Sequence, residues 1–130
     1  MNNIARIIRF IFYISITLLL ILYLFPGSII GYFLYKDLSV QPNIIVNPIG
    51  TSINHLICFF YLSTMGLFSF FKDAQFKKVF IFLFLLAGIL EILHFIVPKR
   101  SFELVDLIAN IAGVLLVYSL AIIYKRWKHE

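Results

Sequence analysis

The chain has 130 residues, 62% hydrophobic and only 13% charged, with a mean hydropathy of +1.02. That composition excludes a water-soluble domain, whose surface carries far more polar residues. The net charge of +5 does not signal nucleic acid, because the eleven Lys and Arg sit at the ends of apolar runs with no basic stripe interleaved by aromatics. Cys58, the one cysteine, lies inside an apolar run, which rules out a disulfide framework or a cysteine zinc knuckle.

A helical span needs about 20 apolar residues, so the length holds four spans, short turns and one longer loop. The expected fold is therefore all-α: a single polytopic membrane domain over residues 1–130 with four transmembrane helices. The first span, 7–25, follows Arg6 and Arg9 and stops at Pro26-Gly27, where proline removes a donor and glycine permits a sharp exit. A cleavable signal peptide has a shorter apolar stretch ending in small residues, so this span is read as retained. Residues 26–50 form the long loop, whose aromatic start, 29–35, suits the membrane surface, since Tyr rings prefer the headgroup level.

The second span, 51–71, ends at a polar turn, 72–78, short enough only for an antiparallel reversal. The third, 79–97, is followed by the turn Pro98-Lys99-Arg100-Ser101 and the fourth, 102–124. Ser101 is the expected N-cap of that last helix, with Glu103 and Asp106 near the positive end of its dipole.

Orientation follows from the basic residues, which short cytoplasmic loops retain. Arg6, Arg9, Lys72, Lys77, Lys78, Lys125, Arg126 and Lys128 fall on one side; Lys36, Lys99 and Arg100 fall on the other. Both termini are thus expected on the cytoplasmic side of the cytoplasmic (inner) membrane, with the long loop facing outward. Trp127 is expected as an interfacial anchor.

Ionisable groups within spans cost about 2.5–3.5 kcal/mol each at a helix centre, and here they cluster. At the helical rise, Glu91 and His94 lie roughly 10 and 6 Å below Pro98, while Asp106 and Asn110 lie roughly 6 and 12 Å in from residue 102. Asn54 and His55 fall at roughly 5–6 Å on the same scale. Glu91 with His94, and Asp106 with Asn110, share helical faces. Ala109 and Gly113 form a small-xxx-small pattern that lets a neighbouring backbone approach. Three helices are expected to converge on a polar cluster in the outer half of the membrane, with Arg100 above it, free to pair with Asp106, Glu103 or an anionic ligand. The stretch 80–86 has no polar side chain, so no polar path crosses the membrane, which weighs against a monomeric channel or transporter.

The run Glu91-Ile-Leu-His-Phe-Ile-Val-Pro-Lys-Arg-Ser-Phe-Glu-Leu-Val-Asp-Leu-Ile-Ala-Asn-Ile-Ala-Gly113 resembles the signature of the VanZ-like family of bacterial membrane proteins. Asn54-His55-Leu-Ile-Cys-Phe-Phe-Tyr-Leu62 is similar to the family's first block, and Leu24-Phe-Pro-Gly27 to its first-helix exit. The chain departs from the pattern at Thr51-Ser52, where an Asp-Lys pair is frequent, at His94, usually glutamine, and at Val117, usually glycine. The resemblance implies a compact helical membrane domain and a link of some members to low-level resistance to teicoplanin-type glycopeptides.

The expected function is a noncatalytic envelope protein whose site, Asn54, His55, Glu91, His94, Arg100, Asp106 and Asn110, holds a membrane lipid or lipid-linked glycan headgroup, or seats a membrane protein partner. Alternatives are a membrane enzyme on lipid-linked substrates, with a histidine as base or nucleophile, and a structural subunit of a membrane assembly. His55, Glu91, His94 and Asp106 offer metal-ligand atoms, but their spacing is not diagnostic, and neither a metal nor another cofactor is expected.

Overall fold

The computed structural model describes residues 3–129. They form α1 (Asn3–Leu24), α2 (Ile29–Tyr35), α3 (Ser52–Phe70), α4 (Phe76–Leu93) and α5 (Leu104–His129), with no strand among the described residues. The all-α expectation holds. Three helices, α1, α3 and α5, are long and apolar enough to cross a membrane. The fourth expected span, α4, carries Lys77, Lys78 and Glu91 within its eighteen residues, so length and composition alone do not place it with the other three.

The four long helices alternate in direction. Arg9 reaches Asp73 and the Ser69 carbonyl, and Phe71 packs on Tyr124. The start of α1, the α3–α4 turn and the last turns of α5 therefore share one end of the bundle, the terminal end. The opposite, loop end carries α2, residues 36–51 and the turn between α4 and α5.

Helix α1 buries Phe12, Leu19 and Tyr23, a single stripe at helical spacing, and leaves Phe10, Ile14, Leu18 and Ile21 exposed. An apolar helix that buries one stripe and exposes equally apolar flanks has lipid rather than water as its solvent. The aromatic runs divide in the same way: Phe59, Phe80 and Leu83 are core, while Phe60, Tyr61, Ile81, Phe82 and Phe84 face outward.

The closest approach is between α3 and α5. A Cβ at Gly113 would lie 2.7 Å from the Phe60 nitrogen and 2.8 Å from the Leu56 oxygen, so only glycine lets the two backbones meet there. Around that contact, Phe59, Leu62, Leu83, Ala87, Leu90, Val114 and Val117 form the core.

Helix ends differ from expectation for local reasons. Helix α4 stops at Leu93 rather than at 97, because His94, Phe95 and Ile96 tighten into i to i−3 bonds ahead of Pro98, whose ring disfavours helix at the residue before it. Ser101 is not the cap of α5. The helix starts at Leu104, and the Glu103 carbonyl accepts its first bond, from the Leu107 N–H at 3.1 Å. At the other end α5 runs to His129, because Lys125, Arg126 and Lys128 are helix formers whose charge suits the negative end of the dipole.

The long loop is folded back on α2. Ser28 caps α2 by accepting the Gly31 N–H at 2.9 Å, and its own N–H donates to the Leu38 carbonyl at 2.7 Å. A Cβ on Gly31 would collide with the Val40 carbonyl oxygen, so the loop backbone lies directly on the helix. The outward face of α2 presents Tyr32, Phe33, Leu34 and Tyr35.

Candidate functional site

Five of the seven expected site residues meet at the loop end. Glu91, in the last turn of α4, and His94, which caps that helix, are in contact at 3.3 Å. His55 on α3 sits between the other two helices, 3.3 Å from Asp106 Oδ2 and 3.8 Å from Glu91 Oε2. Asn110 on α5 donates to the Ala87 carbonyl at 3.3 Å and lies 3.2 Å from His55 Nδ1. All five are buried, Glu91 and Asn110 completely. Charged and amide groups tolerate such a place only when other polar groups replace water around them.

The two remaining residues stand at the rim. Asn54 accepts the Ile44 N–H at 3.0 Å and donates to the Pro42 carbonyl at 2.7 Å, pinning the loop to α3 instead of joining the cluster. Arg100 pairs with neither Asp106 nor Glu103. It donates to the Leu22 carbonyl at 2.7 Å, to the Phe25 carbonyl at 3.4 Å and to Gln41 Oε1 at 2.9 Å. It thus ties the α4–α5 turn to the C-terminal end of α1, where the helix dipole favours a cation. Burial lowers the Arg100 pKa from its ordinary value, yet guanidinium remains charged at neutral pH. Three of its donors are committed, which leaves two of guanidinium's five for another acceptor.

Three residues join the site unexpectedly. Tyr23 donates to Asn110 Oδ1 at 2.8 Å and lies 3.1 Å from His55 Nδ1, while its carbonyl takes His94 Nε2 at 3.0 Å. Its ring also stacks on His94. Ser52 donates to Asp106 Oδ1, and Gln41 accepts from Arg100. Tyr23 continues the buried stripe of Phe12 and Leu19, but α1 is apolar on every face, so the sequence does not single that stripe out. Ser52 lies three residues before His55, while nothing in the sequence marks Gln41.

Two cavities open beside the cluster. One, of about 120 Å³, is polar and bounded by His55, His94, Lys99, Arg100, Glu103 and Asp106. The other, about 70 Å³, is lined mainly by apolar groups that include Leu22, Ile29, Ile30, Pro42, Ile44 and Cys58. They share Ser28, Gln41, His55 and Arg100. Lys99 holds a left-handed conformation (φ 58°) at the mouth.

The cluster can accept protons, orient polar groups and offer ligand atoms to a cation. One ligand atom each from His55, Glu91 and Asp106 lies within 4.8 Å of the others. Fold and site define a class: apolar helical bundles with a buried carboxylate–histidine cluster near one end. The chain belongs to the VanZ/LLP1 family, whose model matches residues 8–125. No curated protein and no solved structure matches it.

Proposed function

We propose that the chain is a four-span protein of the cytoplasmic membrane, with both ends inside, that holds the headgroup of a lipid or lipid-linked glycan at the outer leaflet without chemically changing it. The observation that carries this reading is the pair of adjoining cavities, one polar and one apolar, that meet at His55 and Arg100. An amphiphile needs that combination: polar groups fix its head, and an apolar wall takes the start of its tail. The two uncommitted Arg100 donors and Lys99 suit a phosphate, which guanidinium recognises in its plane.

For the fourth span, Lys77 and Lys78 fall in the first turn of α4, where they reach the interface, and Glu91 is buried in protein rather than in lipid. Eight basic residues at the terminal end against three at the loop end support the orientation. An influence on glycopeptide susceptibility would then arise from binding an envelope precursor.

A second reading, an enzyme acting on lipid-linked substrates, is favoured by the His55–Asp106 contact at the edge of the polar cavity, an arrangement that suits a general base and its orienting carboxylate.

Native mass spectrometry of gently extracted protein, comparing wild type with Arg100→Ala and Glu91→Gln, tests the proposal. The expected result is one phospholipid or polyprenyl-phosphate species per wild-type chain, lost in variants that still unfold cooperatively. Unselective lipid in the wild type, or equal retention in folded variants, would overturn it. Turnover of the bound species that disappears in His55→Ala would establish the enzyme instead.

A further inference from the structure

From the hydrogen-bond pattern of the cluster we infer that His55, Glu91 and Asp106 form a binding site for one divalent transition-metal ion, open to the polar cavity. Asn110 fixes the proton on His55. Its amide nitrogen donates to the Ala87 carbonyl, which leaves Oδ1 as an acceptor, and the Tyr23 hydroxyl fills it at 2.8 Å. With that proton used, His55 Nδ1, 3.1 Å from the same hydroxyl oxygen, is the donor of their contact. The neutral imidazole then has its lone pair on Nε2, which faces Asp106 Oδ2 at 3.3 Å. Unless Nε2 is protonated as well, these two lone-pair atoms need a metal cation between them.

Glu91 carries a second buried acceptor without a donor. Its Oε1 accepts the Glu103 N–H at 3.0 Å and lies 3.3 Å from Nδ1 of His94, whose Nε2–H is donated to the Tyr23 carbonyl, while Oε2 has no hydrogen-bond partner, although the side chain is 0% exposed. That oxygen points toward His55, 3.8 Å from Nδ1. A buried carboxylate oxygen without a donor is costly unless a cation meets it.

A single ion answers both needs. Ligand atoms around a tetrahedral ion with bonds of about 2.0–2.2 Å stand about 3.3–3.6 Å apart, and the Nε2–Oδ2 edge is already 3.3 Å. One ligand atom from each of the three residues lies within 4.8 Å of the others, so a small closure completes the set. Tyr23 and Asn110 hold the His55 tautomer from behind, as outer-shell groups do for metal-bound histidines. Ser52, donating to Asp106 Oδ1, orients the carboxylate in the same way. Three protein ligands leave a coordination position toward the polar cavity, where water or a ligand oxygen completes the shell. One imidazole with two carboxylates suits Zn²⁺ or Mn²⁺ better than Cu⁺ or an iron–sulfur centre.

This inference goes beyond headgroup binding and does not require it, since ion uptake is measured with Zn²⁺ alone in detergent. Full-length protein is freed of metal with a chelator and titrated calorimetrically. The expected result is one Zn²⁺ per chain, with affinity weakened about tenfold or more in Glu91→Gln, Asp106→Asn and His55→Gln. Asp37→Asn, an exposed acid of the loop, leaves uptake unchanged. X-ray absorption on the zinc-loaded wild type, which needs no variant to fold, shows one imidazole among oxygen ligands and no sulfur. Absence of saturable uptake, affinity unchanged in the three variants, or a sulfur or multi-histidine shell overturns the site.

Discussion

The loop end and the terminal end of this bundle are joined by the same four helices but held by different forces. At the loop end, Tyr23, Ser52, His55, Glu91, His94, Asp106 and Asn110 bond to one another across every long helix. At the terminal end, Phe76, Phe80 and Tyr118 pack ring on ring, Lys125 sits 3.6 Å from the centre of the Phe76 ring, and Arg9 meets Asp73 at 2.6 Å. The terminal end uses parts any helical membrane protein has: aromatic packing and basic residues at the interface. The loop end uses buried ionisable groups, which are a costly way to fix helix register, and cavities open beside them. A function that needs directed polar groups has its place there.

Substitutions that contrast the two regions test this division. The largest effect is expected between α3 and α5 below the cluster. Gly113→Leu forces a side chain into the α3 backbone, which destabilises by about 1–3 kcal/mol or more, whereas Gly88→Ala enters open space and gains about 0.5–1 kcal/mol. Thermal unfolding in detergent ranks the pair. A Gly113→Leu protein as stable as wild type would mean that the helices do not depend on that approach.

Next come the two tyrosines. Tyr23→Phe leaves the Asn110 Oδ1 acceptor and the His55 Nδ1 donor without their hydroxyl partner and should cost about 1–3 kcal/mol. Tyr118→Phe keeps its ring against Phe76 and Phe80 and should change stability by less than about 0.5 kcal/mol. Equal losses would erase the distinction between the ends.

The smallest effect is pH-dependent and belongs to the terminal end. The Gln75 N–H and Arg9 lower the Asp73 pKa below its ordinary value of 3.8. A carboxyl lowered in the folded state stabilises it above the unfolded pKa and loses that contribution as pH falls through the folded one. Asp73→Asn should therefore melt slightly below wild type at neutral pH, and the two curves should converge as pH falls from the ordinary carboxylate range through the lowered Asp73 pKa. A constant gap would assign the difference to something other than this carboxylate.

Much of the site was legible from one-dimensional spacing. Glu91 with His94, and Asp106 with Asn110, lie on shared faces because α4 and α5 are regular there, and Gly113 makes the close contact its small-xxx-small pattern foretold. Arg100 and Asn54 were placed by depth alone. Depth does not say what a side chain meets, and both turned to backbone carbonyls and the loop. Tyr23 and Gln41 come from α1 and the loop, whose rotation and path relative to the other helices have no local signature.

The sequence by itself determined that the chain is helical, apolar and built around a few polar residues at matching heights, because hydropathy and helical periodicity are local properties that lipid and hydrogen bonding enforce. The tertiary structure decided which of those residues touch. Helix rotation, the fold-back of residues 37–40 onto α2 and the tie from Arg100 to α1 are set by packing between distant segments, and so are the Nε2–Oδ2 edge and the cavities beside it.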